Sequence, residues 1–155
     1  MSNGTVGEAM QTLAPHEYGY LAELAKCYRD EHLAGLKQQA HFNPRLGVDA
    51  LCFQHIESRI SGASVMAGAL ITPCELWLVA LPEQSALQAP LESQCALTLP
   101  SGRYSLQLER LPAGIELYKR KILEDLSDLE TLQETARLAQ RMMEQLMTPN
   151  AVPQG

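Results

Sequence analysis

No two cysteines in this chain stand at the spacing that holds a tetrahedral metal ion. Cys27, Cys52, Cys74 and Cys95 are scattered, with no C-x-x-C or C-x-x-H pair, so buried thiols are the favoured reading and an oxidising compartment is not implied. Aromatic residues are scarce too, 5% of the total with Trp77 the single tryptophan, which leaves Leu, Ala, Val and Ile to build a core. Basic residues are outnumbered, 12 Lys and Arg against 18 Asp and Glu, for a formal charge of -6. That balance opposes a polyanion-binding surface, because phosphate contact needs clustered Lys or Arg that release counterions. No apolar run reaches bilayer-crossing length, and the first residues carry neither the basic region nor the apolar region of an export signal, so a cytoplasmic location is expected. Catalytic signatures are missing as well: there is no G-x-S-x-G elbow, no H-E-x-x-H helix, no Walker-type phosphate loop and no Gly-rich dinucleotide turn. The sequence assigns no catalytic residue, no metal ligand and no cofactor.

What is present describes a globular chain. Hydrophobic content of 46% with 19% charged, in 155 residues, gives one domain able to hold a core without staples. The domain is expected over residues 16–147, between a flexible lead-in (1–15) and a flexible tail (148–155). The densest apolar stretch runs from Ser64 to Pro82, SVMAGALITPCELWLVALP. Thr72-Pro73 biases Thr72 toward an extended conformation and removes a backbone donor, so the spacing predicts strand, bend, strand. Leu76, Leu78 and Ala80 alternate with Glu75, Trp77 and Val79, and nearly every position is apolar, as in a strand covered on both faces.

From His16 to about Gln39, Tyr18, Leu21, Ala25, Tyr28 and His32 recur at three- and four-residue steps, with Leu24 and Leu36 beside them, one face of an amphipathic helix closed by Asn43-Pro44. Leu51, Phe53 and His55 then alternate as a short strand, and Ser61-Gly62 turns the chain into the apolar hairpin. EQSALQAPLES, after Pro82, is a polar excursion. Cys95–Leu99 and Arg103–Leu111 flank the turn Pro100-Ser101-Gly102, and Pro112-Ala113-Gly114 leads to a last strand over Ile115–Ile122. Ser127-Asp128-Leu129-Glu130 reads as a capping box. Behind it Leu129, Leu132, Ala136, Ala139, Met143 and Leu146 form an apolar seam, either laid on the sheet or serving as a homodimer face. Met142, Met143 and Met147 read as gap-filling core or as an adaptable surface for apolar peptides. The sum is an α+β domain, an antiparallel sheet of about five to six strands with an N-terminal and a C-terminal helix packed on one side of it.

The blocks NPRLGVDALCF, SVMAGALITPCELWLVALP and LTLPSGRYSLQL, followed by the closing helix, resemble the HybE family of [NiFe]-hydrogenase assembly chaperones, called HupJ or HoxT in some operons. The likeness covers roughly residues 16–147. Its most specific piece is Leu70-Ile71-Thr72-Pro73 running into a strand that ends at Leu81-Pro82; Leu99-Pro100, Gly102 and Tyr104 come second, and Asn43-Pro44 third. Two departures stand out. Cys74 occupies the place after Thr-Pro where the family usually has Trp, and KILEDLSD replaces its Ser-Leu-x-Ser-Pro-like segment. Some relatives carry a fused rubredoxin domain, whose C-x-x-C knuckles this chain lacks.

The resemblance implies a non-catalytic cytoplasmic chaperone that binds a hydrogenase precursor subunit, the small subunit bearing a twin-arginine signal peptide and/or the large subunit. A receptor for two Arg beside an apolar run needs carboxylates near an apolar groove. The motif positions suggest a groove lined by Thr72, Pro73, Cys74 and Trp77, with Tyr104 nearby and Glu124, Asp125 and Asp128 supplying charge. An acidic first helical turn also suits the helix dipole without any partner. Two other classes stay open: a homodimeric regulatory or structural module, and a small enzyme, which a pocket holding Cys74 beside His55 would favour.

Overall fold

The computed structural model describes residues 13–149. Helix α1 (Pro15–Lys37) is followed by β1 (Asp49–Ile60), β2 (Ala63–Ile71), β3 (Leu76–Pro82), β4 (Gln94–Leu99), β5 (Gly102–Arg110), β6 (Glu116–Leu123) and helix α2 (Leu132–Leu146). Single 3₁₀ turns occupy Gln84–Ala86 and Pro112–Gly114. The strands form one six-stranded antiparallel sheet in the order β1-β2-β3-β6-β5-β4. Fold class and strand count therefore agree with the sequence reading.

The apolar hairpin sits at the centre of the sheet, and its bend is built from side chains. Thr72 Oγ1 accepts from the N–H groups of Cys74 (3.1 Å) and Glu75 (2.8 Å), while Thr72 N–H donates to the Glu75 carbonyl (2.9 Å). Pro73 takes the position where its missing donor costs nothing. Beyond the bend, Ile71 pairs with Leu76, Gly68 with Val79 and Val65 with Pro82. Gly68 is required by its neighbour: a Cβ there would lie 2.3 Å from Phe53 Cδ1.

The two helices take opposite faces of the sheet, not one side. Val65, Ala67, Ala69 and Ile71 of β2 join Ala139, Met142, Met143 and Leu146 of α2 in one core. Met66 and Leu70 join Leu21, Leu24 and Tyr28 of α1 in a second. The cause lies in the central strands themselves, which are apolar on both faces and so need two covers.

Strand β1 is longer than expected and irregular. Leu51 to Gln54 opposes Ala69 to Ala67, and Ile56 to Arg59 opposes Val65 to Ser64, so extra residues enter β1 at two bulges, the first with Cys52 at φ 61°. Bulges strengthen twist. The sheet curls until Ser58 Oγ donates to the carbonyl of Thr98, linking its two edge strands over the face that holds α2.

Three local expectations change. Of the expected face of α1, Leu21, Leu24, Tyr28 and Leu36 are buried, but Tyr18 is 56% exposed. Leu13, ahead of the helix, is buried among the same residues, so part of the expected lead-in is packed; residues 1–12, and 150–155 of the expected tail, lie outside the described residues. Finally, α2 begins not at Ser127 but after Thr131, which accepts from Glu134 N–H (3.0 Å) while Glu134 Oε1 accepts from Glu130 N–H (2.7 Å). Both stretches match the capping pattern. The first loses because the Leu126 and Leu129 carbonyls are held by Asn43, as described below. Among the described residues no helix is long and apolar enough to cross a membrane.

Candidate partner-binding surface

Asn43, 2% exposed, joins three segments. Its N–H donates to the Pro73 carbonyl (2.9 Å), and its side-chain amide donates to the carbonyls of Leu126 (2.9 Å) and Leu129 (2.8 Å). Its Oδ1 accepts from Arg45 N–H (3.0 Å). The loop after α1, the Thr-Pro bend and the loop before α2 are thus locked together, and Asn suits the place because it offers donors and an acceptor at once.

The bend itself is sealed. Thr72 and Cys74 are fully buried and Pro73 is buried with them. Cys74 Sγ donates to the Leu36 carbonyl (3.5 Å), and burial, with Glu75 and Asp125 adding to it, pushes the thiol up from its ordinary value. These three residues do not line an open groove. They are the mount on which the neighbouring surface stands.

Beside the mount, Trp77 is half-buried in a ring of charges. Its indole N–H donates to Glu75 Oε1 (3.1 Å), and the Lys119 and Lys121 ammonium groups lie 4.1 Å and 5.4 Å from its ring centre. Lys119 also pairs with Glu109 (2.7 Å) and donates to the Tyr28 hydroxyl (2.8 Å), and Glu109 binds His32 (2.5 Å). Burial acts to raise the Glu109 carboxyl, but the hydrogen bonds and charges of Lys119 and His32 outweigh it and hold the group below its ordinary value. Burial first, then Glu109 and Glu75, drives the Tyr28 phenol upward. A cleft of about 220 Å³ between Tyr28, Leu36 and Trp77 opens onto this network.

Tied to the mount through Asn43 runs the acidic loop. Glu124, Asp125, Asp128 and Glu130 are exposed, and the only large apolar side chains exposed in the C-terminal part of the described chain, Leu123 (37%) and Leu132 (59%), stand at its two ends. The Ser127 side chain first, and then the Ser127 N–H that donates to Asp125 (2.8 Å), hold the Asp125 carboxyl below its ordinary value; His41 adds a smaller push in the same direction. The loop is therefore a set of carboxylates bracketed by leucines, fixed from behind by Asn43.

The remaining candidates lie apart from this set. The Tyr104 hydroxyl bonds Ser101 Oγ (2.6 Å), and Ser101 N–H donates to the Leu146 carbonyl (3.1 Å), so Tyr104 helps fasten the β4–β5 turn to the end of α2. His55 pairs with Glu17 (3.0 Å) and is not brought to Cys74. All four cysteines are free thiols, and no group of three potential metal ligands forms among the described residues. The apolar seam of α2 is occupied by the sheet, with Leu132 its exposed exception, and Met142 and Met143 are core.

Sequence reading missed Asn43 as the keystone and the Glu75–Trp77–Lys119–Glu109 network. Two signals were available: a lone acid, Glu75, inside an apolar run, and Lys119 and Lys121 on the strand that pairs with Trp77. The arrangement presents a rigid, charged and partly apolar surface.

No curated protein matches this chain by sequence. Among solved structures, the solution structure of HybE from Escherichia coli is similar, with a TM-score of 0.57 and 18% identity over 87% of this chain and 86% of that one. That likeness speaks to the fold. Residues 20–155 match the family described as [NiFe]-hydrogenase assembly, chaperone, HybE. With most of its length matched, the chain belongs to the HybE family of [NiFe]-hydrogenase assembly chaperones.

Proposed function

We propose that this protein is a cytoplasmic, non-catalytic chaperone that holds a hydrogenase precursor subunit until cofactor insertion and export are complete. The client is the small subunit bearing a twin-arginine signal peptide, the large subunit, or both in turn. The observation that carries the reading is the Asn43 clamp, which fixes the Leu123–Leu132 acidic loop against the Thr72–Glu75 bend. Glu124, Asp125 and Asp128 meet the arginines of the client, Leu123 and Leu132 meet its apolar run, and Trp77 borders the contact. Charge supplies association rate and specificity, and apolar contact supplies retention. Thr72, Pro73 and Cys74 act from beneath, as the mount, and Tyr104 acts by holding α2.

The test is co-expression of the chain with the precursor small subunit, with the same subunit lacking its signal peptide, and with the large subunit. Recovery of the full precursor, weakened by removal of the signal peptide, supports the reading. Equal recovery with and without that segment assigns the contact to the folded subunit. Recovery of neither subunit contradicts the proposal.

A further inference from the structure

The central hairpin has a second end, where β2 begins and β3 finishes, and α1 starts above it. Between them lies a cleft of about 320 Å³. Its floor is Val65, Met66, Leu81 and Pro82, all buried, and Tyr20 forms a wall. Its rim carries two carboxylates, Glu17 and Glu83, with His16 and His55 and neither Lys nor Arg.

The two acids are not equivalent. Glu17 is engaged within the fold, accepting from Ala14 N–H (2.8 Å) and pairing with His55 (3.0 Å). Glu83 accepts only from hydroxyls, Ser64 Oγ (3.0 Å) and Ser85 Oγ (3.3 Å), and faces no cation among the described residues. Two Ser donors orient this carboxylate without neutralising it. An anion is a poor occupant, because Glu17 already takes the N–H at the start of α1 and both rim charges repel it. The volume lies at the small end of ligand sites, room for a bulky side chain or two rather than a cofactor.

We infer that this cleft is a docking site for a polypeptide segment presenting a bulky apolar side chain next to an arginine or lysine. The apolar group rests on Met66 and Leu81, and the neighbouring cation pairs with Glu83 at the mouth. The site lies at the opposite end of the hairpin from the acidic loop, so it is a separate point of attachment. The inference rests on the reading of the chain as a binder of polypeptides, and the experiment separates the two.

The full chain, isotopically labelled, is titrated with a synthetic peptide carrying two leucines flanked by arginines, and amide shifts are followed by NMR. Shifts centred on Val65, Met66, Leu81 and Glu83 are expected, weakened when glutamine replaces arginine or alanine replaces leucine in the peptide. Glu83→Gln, an exposed change that leaves the core intact, is expected to weaken binding roughly fivefold or more, with a steep loss in added salt. The double control Glu31→Gln, Glu92→Gln, exposed acids outside both the cleft and the acidic loop, is expected to leave peptide binding unchanged. Shifts confined to residues 123–132 with none at the cleft, equal weakening by the control, or no binding at millimolar peptide overturns the cleft assignment, while client co-expression reports separately on the chaperone reading.

Discussion

The backbone N–H of Asn43 lies 2.9 Å from the carbonyl oxygen of Pro73, and the same asparagine's side chain reaches two carbonyls of the loop before α2. Two blocks of the family resemblance, Asn-Pro and Thr-Pro, thereby touch across a stretch of chain that includes two strands. Their joint role is to position what lies beyond them. A short loop of like charges repels itself, and holding it in one shape takes fixed donors behind it. Asn43 supplies those donors from a site with 2% exposure, where water cannot compete.

Asn43→Ala removes both side-chain donors, leaving the Leu129 carbonyl without its Asn43 partner and the Leu126 carbonyl with only the Leu129 N–H (3.1 Å). A loss of about 2–3 kcal/mol is expected in urea unfolding, with client affinity falling further than stability alone accounts for. A change under about 0.5 kcal/mol would mean that the loop finds other donors, and the clamp would be dispensable.

Gly68→Ala puts a methyl against the Phe53 ring, where an ideal Cβ would stand 2.3 Å from Cδ1. Overpacking of this kind costs about 1–3 kcal/mol. Phe53→Leu in the same chain should recover part of the loss, since the two changes share one contact, and a double-mutant cycle measures the coupling. Strict additivity would contradict the packing described.

Glu109 links acid stability to the network beside Trp77. Its folded carboxyl sits below the ordinary value of 4.5, so the ionised form is favoured by folding. That contribution is fully present above pH about 4.5 and is lost as pH falls through the folded value, because the unfolded chain takes up the proton first. Glu109→Gln should cost about 2 kcal/mol at pH 7 by leaving Lys119 short of a partner, and should flatten the acid limb of the stability curve. Chemical denaturation at pH 3.5 and pH 7 checks both. An unchanged acid limb would move the dependence to other carboxylates.

The sealed bend makes a prediction about thiol chemistry. Cys74 is fully buried with its thiol pushed up, and burial pushes Cys95 up to about 11. Only the thiolate reacts with disulfide reagents, so both should resist modification in the native state and react on unfolding. Rapid labelling of Cys74 in the folded protein, read by mass spectrometry, would show that the bend opens.

How much of this was legible follows from the range of each interaction. The hairpin was readable because Thr72-Pro73 acts locally, through a side chain bonding backbone groups two and three residues ahead. Two-faced cover of the sheet was half readable: the unbroken apolar strands announced it, yet nothing in the helices said which face each would take. The start of α2 was misplaced by four residues because two capping patterns compete there, and the winner is decided by Asn43, 83 residues away from Leu126 in sequence. The site divided in the same way. The acidic residues before α2 are exposed, whereas Thr72, Pro73 and Cys74 went inside, since a motif marks a place in the fold without saying whether its atoms meet solvent.

The measurement closest to the central claim is the affinity for a purified precursor small subunit of the variant carrying Glu124→Lys, Asp125→Lys and Asp128→Lys, compared with one carrying Glu31→Lys, Glu57→Lys and Glu92→Lys. Both change net charge by the same amount on exposed positions. The account predicts that the loop variant keeps its thermal midpoint and loses affinity by at least about tenfold, while the other binds within about twofold of the parent chain. Equal affinities for the two variants would contradict it.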